Sequence, residues 1–404
     1  MQPDTSATAA SIQTESSHLN VSLIREIHHK QFCEGDPPAF LAPGRVNLIG
    51  EHTDYAGGFV LPVAIDFGTL ATISPRHDGR VEIWSQNFRE GITFAANDLP
   101  QTRKQHWSDY PLGVVWALRD AGVEVPAFSM TLWGNVPVAA GLSSSASLEV
   151  TTAVALLHLA RRDMPRSQVA LLCQRAENVY VGSSCGIMDQ FIAANGAEDH
   201  ALLLDCRSLD FRLAPIPRDI SLVIANTMVK HSVVGGEYGN RRAEVEEGTA
   251  ILARHRSEIR LLRDATMEDL ERWGGEMPGN VMRRCRHIIT ENRRTVAAAD
   301  ALQAGDMKRL GQLMAEAHAS YRDDFEASCP EADAMVEAAQ GLPGLVGARL
   351  TGGGFGGCTI NLVETKQAEE FSAQLRDKYK AATGIKPDIY RCHASAAAHR
   401  ILNS

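Results

Sequence analysis

Hydrophobic and polar positions follow different patterns in the two halves of the chain. In the first half, short apolar runs predict strands at 46–49, 59–65, 69–73, 81–88, 128–133 and 202–205. Apolar residues at helical spacing predict the helices of this half, at 21–32, 112–119, 146–160 and 165–180. The second half has long charged helices, at 237–255, 280–304, 307–322 and 331–339. It begins with a strand at 222–226 and ends in short strands at 347–350, 359–363 and 387–392, with a helix at 367–382 between the last two. Each half therefore contains both helices and strands.

The length of the chain predicts more than one domain. It has 404 residues, of which 44% are hydrophobic and 22% charged, as in ordinary globular proteins. Residues 1–20 are rich in Ser, Thr, Ala and Gln and predict a disordered tail. Pro215 and Pro217 mark a change of pattern, so we predict one domain over 21–215 and a second over 216–404. We also expect the last residues to pack back onto the first domain.

Charge and cysteine content exclude several classes of partner. The formal net charge is −9 and no block of Lys and Arg stands out, which argues against nucleic-acid binding. No apolar run is long enough to span a membrane, and the first residues lack the apolar core of a signal peptide. The eight cysteines form no C-x-x-C pair, which favours reduced thiols over disulfides or a zinc site. These features predict a cytoplasmic protein.

A glycine and three serines precede the helix predicted at 146–160. Gly141 permits a sharp turn, and Ser143, Ser144 and Ser145 offer hydroxyl and N–H groups. The start of a helix carries unpaired N–H donors and a partial positive charge, which together suit a phosphate. An ordinary serine N-cap or a flexible Gly/Ser loop has the same pattern. Taken alone, the loop favours a phosphate site only modestly.

A second polar segment lies between two predicted strands. It contains Glu51, His52 and Asp54, and Gly57-Gly58 ends it. Several donors and acceptors between apolar strands suit the recognition of hydroxyl groups on a small polyol. A polar turn whose side chains bond only to one another is the alternative. Metal binding is disfavoured, because one His with two carboxylates so close in sequence does not match a zinc pattern.

Three further features have open interpretations. Asp189 lies in the first turn of a short predicted helix, where an Asp is commonly just a cap or a dipole partner. Trp107 and Tyr110 are as compatible with simple packing as with stacking on a flat base. The segment 351–358 contains a formal G-x-G-x-x-G, but a β-branched run follows it instead of a helix, which excludes the dinucleotide motif. It predicts a glycine turn pressed against another backbone or a ligand.

Together these segments resemble the motifs of the GHMP kinases, and among them those of the galactose-phosphorylating branch. Three motifs carry the resemblance: the sugar signature at 44–55, the phosphate-binding loop at 137–147 and the glycine-rich motif at 350–359. Agreement extends to three more segments, at 185–190, 237–242 and 318–326. The resemblance implies a two-domain α+β fold, with an N-terminal domain like ribosomal protein S5 and a C-terminal ferredoxin-like α/β domain. It places the active site in the cleft between them.

The resemblance also implies a reaction and its residues. The γ-phosphate of ATP passes to the C1 hydroxyl of α-D-galactose, giving galactose 1-phosphate and ADP in galactose catabolism. Asp189 matches the catalytic base and Arg45 its partner at the phosphoryl group. The matches to sugar ligands are Glu51, His52, Asp54, Gly186 and Tyr238. The matches to ATP-binding residues are Gly141, Leu142, Ser143, Ser144, Ser145, Ala146, Ser147, Trp107 and Tyr110. Ser145 and Glu177 match the Mg²⁺ ligands, and the protein is expected to be a monomer or a weak homodimer.

Several alternatives remain open from the sequence. The sugar is N-acetylgalactosamine or arabinose if the same signature serves a related sugar-1-kinase. A regulator that binds galactose and ATP without turnover is less favoured, because such relatives lack part of the serine loop and 143–147 is intact here. A plain metabolite-binding protein would not need Asp189 to face the phosphate site. Phosphoryl transfer by positioning alone is also conceivable, since some GHMP kinases have no residue in the place of this Asp.

Overall fold

The computed structural model describes residues 19–33, 35–101, 106–137, 140–230 and 236–402. Its helices are α1 Val21–Phe32, α2 Asp109–Asp120, α3 Ser144–Leu159, α4 Arg166–Arg175, α5 Met188–Asn195, α6 Glu237–His255, α7 Met267–Trp273, α8 Gly279–Ala304, α9 Met307–Asp323, α10 Pro330–Ala339 and α11 Ala368–Thr383. Its strands are β1 Ala39–Asn47, β2 Phe59–Val60, β3 Pro62–Pro75, β4 Arg80–Ser85, β5 Glu90–Ala95, β6 Phe128–Gly134, β7 His200–Asp205, β8 Phe211–Pro215, β9 Ile220–Lys230, β10 Leu345–Leu350, β11 Gly356–Glu364, β12 Asp388–Cys392 and β13 His399–Ile401.

A six-stranded sheet and the helix α3 form the centre of the first half. The strand order is β13-β1-β3-β6-β4-β5, and α3 packs across β1 and β3. Helix α3 is buried on most of its circumference, which explains why its sequence is apolar without a clear polar face. Because α3 also contacts α2, α4 and α5, its first turn is held in a fixed position relative to the sheet.

The second half is built on a four-stranded antiparallel sheet with the order β10-β11-β9-β12. Side chains alternate between its faces, as strand geometry requires. Leu222 and Ile360 point towards Leu48 and Val46 of the first half and share one hydrophobic cluster with them. Val223 and its neighbours on the opposite face pack against α10 and α11. One core therefore continues across the predicted boundary near residue 215, whose exact position stays a prediction.

The chain returns to the first sheet at its end. Strand β13 pairs with β1, with Ala39 opposite Ile401, and Ile65 forms an isolated bridge with Ala394. This pairing confirms the expectation that the last residues pack onto the first half. The α+β class and helix α1 are confirmed as well, whereas α7, β5, β8 and β13 were not predicted. Residues 1–18 of the predicted tail lie outside the described residues.

The helix predicted at 165–180 is interrupted at a position that matters for the site. Helix α4 ends at Arg175, and Ala176–Val181 continue as a π-helical turn that stops at Gly182. Such turns are rare and occur frequently at functional sites.

Within the described segments, no helix combines the length and apolarity that crossing a membrane would require.

The contact between α9 and β10 provides a test of the packing. A Cβ on Gly311 would lie 2.0 Å from the carbonyl oxygen of Val346, so the helix and strand approach at backbone distance. We expect Gly311→Ala to lower the free energy of unfolding by about 1–3 kcal/mol, because an inserted methyl group forces the two elements apart. Gly279→Ala, at the open start of α8, should leave it unchanged or raise it by up to about 1 kcal/mol. Urea denaturation of both variants measures this, and equal stabilities would contradict the close approach.

Candidate active site

Arg45 and Asp189 form a two-pronged ion pair at the centre of the site. Arg45 lies on β1, and Asp189 lies in the first turn of α5, where the helix dipole favours a negative charge. Arg45 Nε donates to Asp189 Oδ1 and Nη2 to Oδ2, each at 2.7 Å. The third guanidinium nitrogen, Nη1, donates to the carbonyl oxygen of Gly141 at 2.5 Å. One arginine therefore connects the carboxylate to the serine-rich loop.

The loop itself turns towards this pair. Ser143 has a left-handed backbone (φ 58°), and its hydroxyl donates to Asp189 Oδ2. The hydroxyl makes no capping bond to helix α3, so the ordinary N-cap interpretation is wrong for Ser143. Because α3 begins at Ser144, the N–H groups of Ser144, Ser145 and Ala146 have no acceptor within the helix. These groups are available to bind an anion.

Ser147 differs from its neighbours in the loop. Its hydroxyl donates to the carbonyl oxygen of Ala42 at 2.8 Å and lies 2.9 Å from Thr69 Oγ1, and both partners are on the sheet. Its N–H donates to the carbonyl oxygen of Ser143 at 3.1 Å. Both polar groups are thus used inside the protein, and the expectation that Ser147 binds ATP conflicts with the structure. Leu142 lines the cleft, although its side chain is buried in the core.

His52 is held in one orientation by two neighbours. Its Nε2 lies 3.2 Å from the carbonyl oxygen of Gly353, and its Nδ1 lies 2.9 Å from Tyr55 Oη. A carbonyl oxygen only accepts, so Nε2 carries the proton and Nδ1 accepts from the tyrosine. Burial lowers the pKa of His52 to about 3, which keeps the ring neutral. The ring of Tyr238 lies 4.8 Å from that of His52, measured between centroids.

Glu51 links the sugar signature to the glycine-rich motif. Its carboxylate accepts a hydrogen bond from Arg349 Nη1, from the N–H of Gly352 at 3.2 Å and from Thr351 Oγ1 at 3.3 Å. Burial raises the pKa of Glu51, and the guanidinium of Arg349 opposes that shift. These partners all lie in the second half of the chain and not within the polar segment, so the interpretation as a turn bonded only to itself is wrong for Glu51, which also lines the cavity.

Asp54 faces the cavity with few compensating partners. Oδ1 accepts from the N–H of Tyr55 at 2.9 Å. Burial, and secondarily the negative charge of Asp189, raise the pKa of Asp54 to about 6. A Cβ on Gly186 would lie 1.6 Å from Asp54 Oδ2, so only a glycine allows the backbone to approach this carboxylate.

Two cavities meet at the Arg45–Asp189 pair. One, of about 370 Å³, is lined by the five predicted sugar residues and by Cys185. The other, of about 340 Å³, is lined by residues 140–145 of the loop and 353–358 of the glycine-rich motif. Arg45 and Asp189 line both. A group bound in one cavity would therefore approach a group bound in the other at this pair.

Ser145 and Glu177 come together behind the loop. Glu177 lies in the π-helical turn, is 7% exposed, and has the Ser145 side chain beside its carboxyl group. Burial and the charge of Asp189 raise the pKa of Glu177. Among the described residues, no group of three or more His, Cys, Asp or Glu side chains could hold a metal alone. One hydroxyl and one carboxylate fit a hard cation that takes its other oxygens from phosphates and water.

Trp107 and Tyr110 lie near α2 and line neither cavity. Trp107 is 8% exposed, its Nε1 donates to Glu90 Oε2 at 3.2 Å, and its ring is parallel to that of Phe88 at 6.0 Å. Burial and the charge of Glu177 raise the pKa of Tyr110 to about 12. Their role in binding a nucleotide base stays a prediction.

Sequence reasoning did not identify three residues that hold this site. Arg349 pairs with Glu51 across 298 positions of sequence, so no local pattern shows the pairing. Glu149 and Gln190 lie buried beside Glu177, and Gln190 donates to both carboxylates. A signal was available for Glu149, since it follows Ser145 by one helical turn and therefore lies on the same face of α3.

Comparisons with known proteins agree with this geometry. Three family models match the chain: the GHMP kinase N-terminal domain over residues 109–197, the galactokinase galactose-binding signature over 26–75, and the GHMP kinase C-terminal domain over 298–381. A galactokinase of Roseiflexus sp. (strain RS-1) is 43% identical over 363 residues, covering 90% of this chain and 93% of that protein.

Solved structures extend the agreement to the fold. The crystal structure of Lactococcus lactis galactokinase complexed with galactose matches with a TM-score of 0.89 and 34% identity, over 94% of this chain and 99% of that one. Methanococcus jannaschii mevalonate kinase shares the fold, with a TM-score of 0.64 and 18% identity over 90% of this chain and 99% of that one. The chain belongs to the galactokinase family of the GHMP kinases.

Proposed function

We propose that the protein is a galactokinase, which transfers the γ-phosphate of ATP to the C1 hydroxyl of α-D-galactose and releases galactose 1-phosphate and ADP. The observation that carries this proposal is the position of the Arg45–Asp189 pair, which lines both the sugar-signature cavity and the phosphate-loop cavity. Phosphoryl transfer requires an acceptor and a donor in line, with charge stabilisation where they meet.

Asp189 takes the proton from the C1 hydroxyl as the acceptor oxygen attacks. Its carboxylate is held by Arg45 and Ser143, so it needs no reorientation before the proton moves. Arg45 stabilises the negative oxygens of the transferring group, and the free N–H groups at the start of α3 bind the neighbouring phosphates. Gly141 permits this turn of the loop with its left-handed backbone (φ 74°).

The sugar cavity supplies polar groups of defined role. Asp54 accepts hydrogen bonds from ring hydroxyls, and Gly186 leaves room for that carboxylate. His52, whose neutral ring is held by hydrogen bonds to Gly353 and Tyr55, lines the same cavity. Glu51 and Tyr238 line it as well.

Ser145 and Glu177 would hold Mg²⁺, which would supply charge neutralisation for the phosphates of ATP. The chain's own contribution is a hydroxyl and a carboxylate that lie side by side, so neither must move far to share a ligand. We place the enzyme in the cytoplasm as a monomer or weak homodimer. All eight cysteines, each within the described residues, have free thiols, which supports a reducing compartment.

A panel of sugars tests the proposal directly. We expect ATP-dependent ADP release with galactose to exceed that with N-acetylgalactosamine, arabinose or glucose by about tenfold or more, because a site built on hydroxyl recognition rejects analogues that leave polar groups unpaired. A coupled ADP assay measures the rates. Faster turnover of N-acetylgalactosamine or arabinose would identify a related sugar-1-kinase. Tight binding of galactose and ATP without any turnover would identify a regulator.

Replacement of Asp189 tests the role of the base. We expect Asp189→Asn to lower kcat by roughly 10²-fold or more, because the amide cannot take the C1 proton. Galactose binding, measured by calorimetry, should persist. Asp300→Asn removes a surface ion pair with Arg212 and serves as the control with unchanged kinetics. An unchanged kcat in Asp189→Asn would mean that positioning alone drives the reaction.

The raised pKa of Asp54 predicts a pH dependence of sugar binding. The ionised form accepts from sugar hydroxyls, and it is lost as the pH falls through about 6. We expect KM for galactose to rise about tenfold between about pH 7.5 and about pH 5, since the ionised fraction falls tenfold per unit below the pKa. The charged groups that face Asp54 are the carboxylate of Asp189 and the guanidinium of Arg45, which form an ion pair with each other.

Asp54→Asn separates this effect from other titrations. This variant should have a high KM for galactose that changes by less than about twofold over the same pH range, because its amide does not titrate. KM for ATP should remain that of the unaltered protein. If the variant retained the full pH dependence, Asp54 would not be the titrating group.

A further inference from the structure

A buried polar cluster lies beside Glu177. Its members are Glu149 on α3 and Gln190 on α5, and both are 0% exposed. Gln190 Nε2 donates to Glu149 Oε2 at 3.0 Å and to Glu177 Oε2 at 2.5 Å. One amide nitrogen therefore bridges two carboxyl groups.

The orientation of this amide follows from its chemistry. Only the –NH₂ end of Gln190 can donate, and its carbonyl oxygen in the same place would repel both carboxyl groups. The arrangement has a cost: within the described part of the chain, Glu149 Oε1 and Gln190 Oε1 have no hydrogen-bond partner. Buried polar atoms without partners are destabilising, so apolar side chains of similar volume would serve packing better.

The bridging amide contacts the carboxylate of Glu177, the group proposed above to hold the cation. Gln190 Nε2 and Cys185 Sγ both contact Oε2 of Glu177, the latter at 3.4 Å. The Ser145 side chain, at the start of α3, lies beside the same carboxylate. Because Glu177 lies in a π-helical turn without regular α-helical bonding, contacts from neighbouring helices determine where its carboxylate points.

We propose that Glu149 and Gln190 are positioning residues for the divalent cation: Glu149 holds the amide of Gln190, and this amide orients Glu177 towards the cation shared with ATP. Neither residue lines the sugar-signature cavity or the phosphate-loop cavity. The inference rests on the proposed function, since it needs a cation at Ser145 and Glu177. Groups behind metal ligands commonly change metal affinity by about 10–100-fold when removed.

Binding of Mn²⁺ tests the proposal without turnover. Free Mn²⁺ is measured by electron paramagnetic resonance in the presence of a non-hydrolysable ATP analogue and without galactose. We expect Gln190→Met and Glu149→Met each to weaken Mn²⁺ binding by about tenfold or more, because each breaks the bridge. Glu149→Gln retains an amide oxygen that accepts from Gln190, and it should restore most of the affinity.

Two controls separate positioning from a general loss of structure. Thr152→Val, on the same helix, removes a buried hydroxyl that bonds only the carbonyl oxygen of Leu148, and it should leave Mn²⁺ affinity unchanged. The galactose Kd of every variant should stay within about twofold of that of the unaltered protein, and the melting temperature should report a folded chain.

A double variant completes the test. If Glu149 acts only through Gln190, then Glu149→Met combined with Gln190→Met should bind Mn²⁺ as weakly as Gln190→Met alone. Additive losses, equal losses of Mn²⁺ and galactose affinity, or no rescue by Glu149→Gln would each overturn the proposal. A wild-type protein that binds Mn²⁺ and nucleotide but phosphorylates no sugar would instead refute the proposed function. The two failures are distinguishable, because Mn²⁺ affinity is measured without turnover.

Discussion

The ion pair between Arg45 and Asp189 is the constraint on which the site depends. It joins strand β1 of the six-stranded sheet to the first turn of α5, and through Gly141 it also fixes the serine loop. Arg45 is 7% exposed, so its charge requires a partner of opposite sign. The bidentate geometry satisfies that requirement and at the same time sets the direction of the carboxylate. Stability and chemistry are therefore served by the same contact.

The two halves of the chain are coupled at the sugar cavity. Glu51 comes from the first half, while Arg349 and Gly352 come from the second, and all three meet in a buried ion pair and hydrogen bond. Removing one partner of such a pair leaves an uncompensated buried charge, which is strongly destabilising. Together with the continuous hydrophobic core across β9 and β11, this contact gives the sugar cavity walls that belong to one packed body.

Sequence alone was sufficient to predict features whose polar groups lie close together along the chain. The serine loop, the polar segment around His52 and the glycine turn each fit within about fifteen residues, so residue type and spacing were sufficient. Contacts between distant segments were not predictable, as the pairing of Glu51 with Arg349 demonstrates. Ser147 was assigned to ATP because the helix start was located correctly, but the face of α3 that packs on the sheet depends on tertiary structure. The strand β13 was missed because three residues carry too little periodicity.

The π-helical turn Ala176–Val181 has a consequence for how this region can vary. Its exit is fixed because the N–H of Ser183 donates to the carbonyl oxygen of Glu177 at 3.0 Å. Val179, in the middle of the turn, is 61% exposed, so its side chain contributes little to the core. Removing one residue would restore regular α-helical winding and rotate Glu177 away from Ser145 by roughly 100°, the angle of one residue in a helix. An exposed position such as Val179 therefore tolerates a change of side chain, whereas the segment resists a change of length, the reverse of an ordinary loop.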